Sequence, residues 1–471
     1  MTAPLQAVFK AYDIRGTVPE QLDEPLLYAV GVAFARFVRE DGGERVVVAR
    51  DMRTSGPPLA RALVAGVTSA GLQVTDLGLA STDMLYFASG RLDAAGAMLT
   101  ASHNPSRYNG VKLCLAGARP IGQESGLAEI RAGTEEMLAG LGPHDAPWAG
   151  GAPPAAVEER DLLAEFAAHV RSFVDVGDLK PLRLVADTAN GMGGLVAPAV
   201  FEGLPFEVEI LFPELDGDFP NHPADPIQAE NLRALQARVL EVRADAGLAF
   251  DGDADRVFLV DEQAQVLPGS LTTAIVADAL LERDPGATIL HNVICSKAVP
   301  EIVRERGGTP VRTRVGHSFI KAVMAETGAL FGGEHSGHYY FRDNYRADSG
   351  IIAALVVLEV LCRAGVPMSE LRRPYERYAG SGEINTEVPD PAAVVEEMAS
   401  RVAARGAEVD RLDGLTADFG DWWFNLRPSN TEPLLRLNLE APDDASCAGH
   451  VDEVVAEVRE IADPRPEGGE G

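Results

Sequence analysis

The sequence predicts an α/β protein of several units: three related α/β domains with mixed sheets, followed by a smaller C-terminal α+β domain. Three observations carry this. At 471 residues the chain is too long for a single hydrophobic core. A pattern of buried strand, polar loop, helix, tight turn and second strand recurs three times. From Gly382 onward that alternation stops.

The first copy is strand 45–49 (RVVVA), polar loop 50–58, helix 59–70 and strand 71–77. The second is strand 182–186, loop 187–194, an apolar helix to Glu202 and strand 206–212. The third is strand 287–295, loop 296–298, a helix to Glu305 and strand 309–315. Each reads as βαβ, a parallel pair joined by a right-handed crossover. Ahead of them, residues 9–16 (FKAYDIRG) are polar and show no helical period. Residues 24–40 form a helix with Leu26, Leu27, Val30, Phe34, Phe37 and Val38 on one face. The apolar run 94–99 is a further buried strand, 161–174 a helix opening the second domain, and 351–362 a helix closing the third. In the last domain strand 383–388, helix 392–405, strands near 422–426 and 434–440, and helix 445–461 imply antiparallel pairing. Residues 142–154 (GPHDAPWAGGAPP) read as a linker, and the tail from Asp463 as disordered. The expected domains are 1–150, 155–260, 261–372 and 376–465.

Composition narrows the function. The chain is 46% apolar and 24% charged, as in ordinary globular proteins, but carries a formal net charge of −30. That disfavours nucleic acid and anionic membrane as partners. It also means that a phosphorylated substrate needs a local cluster of cations. Lysine is scarce (Lys10, Lys112, Lys180, Lys297 and Lys321), so a lysine in a polar loop is informative. Cys114, Cys295, Cys362 and Cys447 are scattered, with no CxxC pair, and read as reduced core residues. No signal-peptide pattern is seen, and the longest apolar run, 351–361, contains Glu359 and is too short for a bilayer. A cytoplasmic protein acting on a small molecule is expected.

Four loops carry the chemistry. Thr100-Ala101-Ser102-His103-Asn104-Pro105 follows a buried strand, and Pro105 holds Asn104 out of the helical region. Ser102 thus sits on a polar loop at a strand tip, beside His103 and followed by Lys112 past a Tyr108-Asn109-Gly110 turn. A hydroxyl so placed suits a phosphoryl carrier; plain turn chemistry is the alternative. Asp251-Gly252-Asp253-Ala254-Asp255-Arg256 lies between two strand-like runs. Two carboxylates 4 Å apart repel by about 4 kcal/mol at an effective dielectric of 20, a penalty that a divalent cation removes, and oxygen-only ligands suit Mg²⁺. A calcium loop fits the acid spacing, but its sixth position is Arg256 where glycine is required. Glu334, Ser336 and His338 alternate in a glycine-bracketed loop, so that in extended form they face one way and can read sugar hydroxyls. His317 is either a proton-transfer group or only the start of a helix. Arg427-Pro428-Ser429-Asn430-Thr431-Glu432-Pro433 joins two strands and offers a guanidinium fork and neutral donors to an anion. Residues 190–194 (NGMGG) hint at a dinucleotide turn but lack its third glycine.

Together TASHNP with YNGVK, DGDADR, GEHSGH and RPSNTEP, with AYDIRG at the start, resemble the α-D-phosphohexomutase superfamily, in particular its phosphomannomutase/phosphoglucomutase branch. The resemblance runs from Phe9 to about Ile461. It implies a four-domain, heart-shaped enzyme with one loop from each domain in a central cleft. It implies interconversion of hexose 6-phosphate and hexose 1-phosphate through a phosphoserine and a 1,6-bisphosphate, with one Mg²⁺ per chain and glucose or mannose 1,6-bisphosphate as activator. Carried over by residue, Ser102 is similar to the phosphoserine, and Asp251, Asp253 and Asp255 with Ser102 to the metal ligands. Glu334 and Ser336 correspond to sugar contacts, and Arg427, Ser429, Asn430 and Thr431 to the clamp on the distal phosphate. Arg15, Tyr12, His103, Lys112, Arg256, Lys297, His317 and His338 are similar to residues around the sugar and the transferring group. His335, where the glucosamine branch has Gln, argues against phosphoglucosamine mutase. A phosphatase, with water as acceptor, and a non-catalytic sugar-phosphate sensor are the readings from other classes.

Overall fold

The computed structural model describes residues 5–141, 157–428 and 434–463. Three of its sheets share one connectivity. In the first, Arg45–Arg50 runs parallel to Gln73–Leu79 on one side and Ala95–Leu99 on the other, and Tyr108–Leu115 returns antiparallel beside Ala95–Leu99. In the second, Leu182–Asp187 lies between Phe206–Leu211 and Ala246–Phe250, with Val257–Asp261 antiparallel beyond. In the third, Thr288–Asn292 lies between Thr309–Thr313 and Phe331–Gly333, with Tyr339–Phe341 antiparallel beyond. The reversal from third to fourth strand therefore falls at residues 100–107, 251–256 and 334–338. These are the serine, acid and sugar loops of the sequence. The mixed sheets follow from this: βαβ crossovers make the parallel part, and one hairpin reversal adds the antiparallel strand.

Three expectations change. Tyr108-Asn109-Gly110 is not a turn but the start of a strand, paired with Ile14–Thr17. Asn109 satisfies its side chain on Ser55 and on the Gly110 amide, which lets it sit in a strand without a turn. Val157–Glu159, placed by the sequence in the second unit, adds an edge strand to the first sheet beside Gln73–Leu79. The second sheet continues past residue 260 to Val266–Leu267. The expected linker lies outside the described residues, as does the C-terminal tail apart from Asp463 at its margin.

The last unit is an antiparallel sheet in the order Ala379–Glu387, Leu434–Ala441, Trp423–Pro428, Leu415–Asp418, Glu408–Asp410. Helices Pro391–Ala404 and Asp444–Ala462 pack on it and on each other around a core of its own. One core instead runs through all of the first three units, burying Phe87, Phe166, Phe250 and Ile352 together, while the first unit's helices Glu24–Glu40 and Gly56–Ser69 pack in a core of their own. Among the described residues no single helix is long and apolar enough to cross a membrane; Gly350–Ala364 is a core helix buried on nearly every face.

Candidate active site

The three equivalent reversals converge on one cleft of ≈ 1070 Å³, closed on its fourth side by the C-terminal sheet. Ser102 stands at its floor with a left-handed backbone, φ +49°. Its Oγ donates to Asp251 Oδ2 at 2.7 Å and lies 3.3 Å from His103 Nδ1. Gly252 makes the close approach of the two loops feasible, because a Cβ there would stand 2.5 Å from the Ser102 carbonyl oxygen.

Asp251, Asp253 and Asp255 are buried, and their carboxylate oxygens lie within 4.8 Å of one another. Lys112 donates to Asp253 at 2.7 Å and to Asp255 at 2.6 Å. Burial opposes the Lys112 charge, but these carboxylates outweigh it and hold the ammonium well above its usual range. Burial also opposes the Asp253 charge, and Lys112 more than offsets it, keeping that carboxyl ionised. Asp251 is pushed up by burial and by its two acidic neighbours. One bonded ammonium and the Arg256 guanidinium, 3.5 Å from Asp251, thus face three acids. Oδ1 of Asp253 and Oδ1 of Asp255 are buried without a hydrogen-bond partner. Orphaned carboxylate oxygens of this kind fit a hard divalent cation with oxygen ligands. Thr82 adds a hydroxyl bond to Asp253, at 2.5 Å, from the start of helix Thr82–Leu92.

Arg256 joins the three reversals. Its Nη2 lies 2.8 Å from His103 Nδ1, its Nε donates to His338 Nε2 at 3.2 Å and stands 3.5 Å from Asp251. Arg15 donates to Asn104 Oδ1 at 2.6 Å and pairs with Asp13. Tyr12 and His317 face each other edge to face with ring centres 4.6 Å apart on the cleft wall. Both ring nitrogens of His317 lack a partner, and burial, then Lys321, pushes its pKa well below the usual range. Burial and Arg256 do the same to His103 and lower His338 to about 4. All three imidazoles are neutral at pH 7.

The sugar loop is a tight turn rather than the expected extended segment: the Glu334 amide donates to the His338 carbonyl, and Gly337 takes φ +85°. The turn nevertheless brings the three side chains together, with Ser336 Oγ 3.0 Å and Glu334 Oε2 3.7 Å from His338 Nδ1. Glu334 is buried and held by the Tyr340 hydroxyl (2.7 Å), Asn292 Nδ2 (3.1 Å) and the Gly316 amide (3.0 Å).

One expected residue is placed elsewhere, and three fall outside the described residues. Lys297 does not line it; its Nζ donates to Asp418 Oδ1 at 2.6 Å and to the Gly420 carbonyl at 2.8 Å across the junction with the last domain. Ser429, Asn430 and Thr431 lie outside the described residues. Arg427 does line the cleft, bonded to Glu383 at 3.3 Å. Arg436 is its cross-strand partner and shares Glu383 at 3.2 Å. Arg314, Arg377 and Arg436 were not singled out in the sequence. For Arg436 a signal existed: Arg436, Asn438 and Glu440 alternate along an otherwise apolar strand, marking one polar face.

Four family models match the chain in order, described as phosphoglucomutase/phosphomannomutase alpha/beta/alpha domain I (residues 6–138), domain II (164–265), domain III (268–378) and the C-terminal domain (383–458). The chain is 41% identical over 448 residues to the phosphohexose mutases of Xanthomonas campestris pv. campestris, covering 95% of this chain and 97% of the relative. It is 39% identical over 443 residues to the phosphomannomutase of Salmonella montevideo, covering 93% and 95%. The crystal structure of a phosphoglucomutase/phosphomannomutase family protein from Burkholderia thailandensis superposes with a TM-score of 0.85 at 34% identity, covering 98% of each chain.

Proposed function

The chain belongs to the phosphoglucomutase/phosphomannomutase family, and on that premise we propose that this phosphohexomutase interconverts mannose 6-phosphate and mannose 1-phosphate, and the glucose pair as well. One observation supports the chemistry above the others: Ser102 Oγ lies 2.7 Å from a buried triple-acid cluster, at the floor of a cleft lined by Arg15, Lys112, Arg256 and Arg427.

Phosphoryl transfer needs positioning and charge neutralisation. In the working cycle Ser102 carries the phosphoryl group. A sugar hydroxyl oxygen attacks phosphorus, the bond from phosphorus to Ser102 Oγ breaks, and the hydroxyl proton passes to a base. His317, neutral and with both ring nitrogens unpartnered on the cleft wall, suits that role. The product is a hexose 1,6-bisphosphate. It turns over in the cleft and returns its other phosphate to Ser102, with the proton restored to the sugar. Asp251, Asp253, Asp255 and a Ser102 oxygen would hold a Mg²⁺, which when bound offsets the charge gathering on the serine oxygen. Arg15 and Lys112 neutralise the transferring group, Glu334 and Ser336 grip the sugar hydroxyls, and Arg427 holds the distal phosphate. Each phosphate occupies the distal position in turn. A clamp made of charge rather than shape accepts both.

The test is turnover of the full-length protein with Mg²⁺ and a trace of glucose 1,6-bisphosphate on mannose 1-phosphate, glucose 1-phosphate and glucosamine 1-phosphate, with Ser102→Ala as control. Isomerisation of the first two, lost in the control, supports the reading. Release of free phosphate moves the enzyme to a hydrolase, and preference for glucosamine 1-phosphate moves it to the amino-sugar branch.

A further inference from the structure

The loop carrying Ser102 is gripped by a side chain outside the cleft. Arg53 is fully buried, in the loop that follows the first sheet's central strand. Its Nε donates to Asp51 Oδ2 at 3.1 Å. Nη1 donates to the carbonyls of Pro105 and Tyr108, both at 2.9 Å. Nη2 donates to the carbonyls of Ser102 at 2.8 Å and Asn104 at 2.6 Å. All five N–H donors of the guanidinium are used, three of them on the loop and a fourth on Tyr108, the first residue of the strand that follows it. Asp51 Oδ2 also accepts from Thr100 Oγ1 at 2.7 Å, and that oxygen accepts the Ser102 amide at 2.9 Å. The amide and the carbonyl of Ser102 are therefore both tied into one closed ring through Thr100, Asp51 and Arg53.

We propose that Arg53 is a positioning residue for phosphoryl transfer, setting the direction of Ser102 Oγ by clamping its backbone in the left-handed conformation. A serine seldom adopts φ +49°, and such a conformation persists only where the surroundings over-determine it. The clamp supplies that determination. A buried Arg–Asp pair placed only for stability has no reason to spend four donors on the carbonyls of a single functional loop and the strand residue that follows it. The second domain seals the outer face: the Phe219 ring centre lies 5.2 Å from Arg53 Cζ, and a Cβ on Gly217 would stand 2.6 Å from Arg53 Cα. In the other units too, residues at or after the end of the central strand bond the functional loop, though not at matching positions. In the second, the Met192 amide donates to the Gly252 carbonyl at 2.9 Å; in the third, Asn292 at the end of the central strand donates to Glu334 at 3.1 Å. Of these three contacts the first unit's alone is made by a charged side chain, and its loop is the one read as forming and breaking a covalent bond.

This inference rests on the reading of Ser102 as the phosphoryl carrier. Its test therefore first measures, in the unaltered protein with Mg²⁺, the phosphate taken up by Ser102 from glucose 1,6-bisphosphate, by rapid quench and peptide mass. No phosphate on Ser102 overturns that reading and this inference together. With uptake established, Arg53→Lys keeps the charge but offers three donors from one point, which cannot span four carbonyls. Misplacement of a reacting atom by about 1 Å costs about a hundredfold in rate, so uptake and kcat are expected to fall by about that factor, with KM for mannose 1-phosphate within about threefold. Rates within about threefold of the original, with only a lower Tm, overturn the inference, as does a parallel loss in kcat and KM. Should Arg53→Lys fail to fold, Thr100→Val decides. It cuts the ring at the Ser102 amide with little change in volume, and a fall in kcat of about tenfold at unchanged KM is expected, while an unchanged kcat overturns the proposal.

Discussion

Asp83 gives the most quantitative prediction. It opens helix Thr82–Leu92 in the first domain, is fully buried, and accepts from the Ser81 hydroxyl and, at 2.7 Å, from the hydroxyl of Ser349, which caps helix Gly350–Ala364 of the third domain. Burial pushes its carboxyl up to about 7, although both serines favour the charged form. In the unfolded chain it titrates near 4. Between about pH 4 and pH 7 the native state binds a proton that the unfolded chain has lost, so stability falls as pH rises. The advantage is complete below pH 4 and gone above pH 7. At about 1.4 kcal/mol per pH unit the loss reaches about 4 kcal/mol. Asp83→Asn removes the titration while keeping shape and hydrogen-bonding capacity. The variant and the original should be alike near pH 4.5 and diverge to about 4 kcal/mol in favour of the variant by pH 8. With m near 2–3 kcal/mol/M this is about 1–2 M in the urea midpoint of the transition that exposes these helices. Urea titrations at half-unit pH intervals measure it. A gap that does not change with pH, or a variant less stable at pH 8, refutes the reasoning.

Stripping divalent cations with EDTA should abolish turnover, with Mg²⁺ or Mn²⁺ restoring it and Ca²⁺, which prefers a wider and looser shell, doing so poorly. Asp253→Asn should weaken Mg²⁺ binding in calorimetry by at least about tenfold. Turnover persisting in EDTA would count against the metal. Tyr340→Phe takes the 2.7 Å bond from a buried Glu334 oxygen and should raise KM about tenfold with a smaller change in kcat; steady-state kinetics on both sugars read it. Asp418→Asn breaks the bridge to Lys297, which is partly exposed and worth about 1 kcal/mol. Backbone exchange at residues 296–298 should then quicken about fivefold, as measured by hydrogen–deuterium exchange, and unchanged exchange there would remove Lys297 as a latch on the last domain.

The sequence made the strand and helix pattern of the three repeated units readable because each element carries a clear period or apolar run. Helix 24–40 is such a case: its large apolar residues recur at helical spacing and Asp23 caps it, although residues 26–35 are all buried. The helix Gly269–Arg283 left no such trace, since it is buried on nearly every side and has no polar stripe to set a period. The four loops were legible through their unusual side chains. Their equivalence was not, because it resides in strand order. The loops at 100–107, 251–256 and 334–338 share no sequence, only the place where a parallel strand gives way to an antiparallel one. Arg53 escaped for a related reason. Its role is defined by carbonyls at 102, 104, 105 and 108, which look the same in any sequence. Lys297 was expected beside the transferring group from the family resemblance, but Asp418 of the last domain takes its ammonium.

A net charge of −30 would seem ill suited to a dianionic sugar phosphate. Range resolves the difficulty. At physiological ionic strength fields decay over about 8 Å, so the exterior acids are largely screened from a ligand inside the cleft. There Arg15 and Lys112 come from the first unit, Arg256 from the second, Arg314 from the third, and Arg427 and Arg436 from the last. No unit alone presents this cluster. Arg256 in particular reaches His103 of the first unit and His338 of the third, so its guanidinium is oriented only when all three reversals are in place. The positive site is thus a property of the assembled units, and the cleft that binds anions is created by the same packing that brings the acid cluster under Ser102.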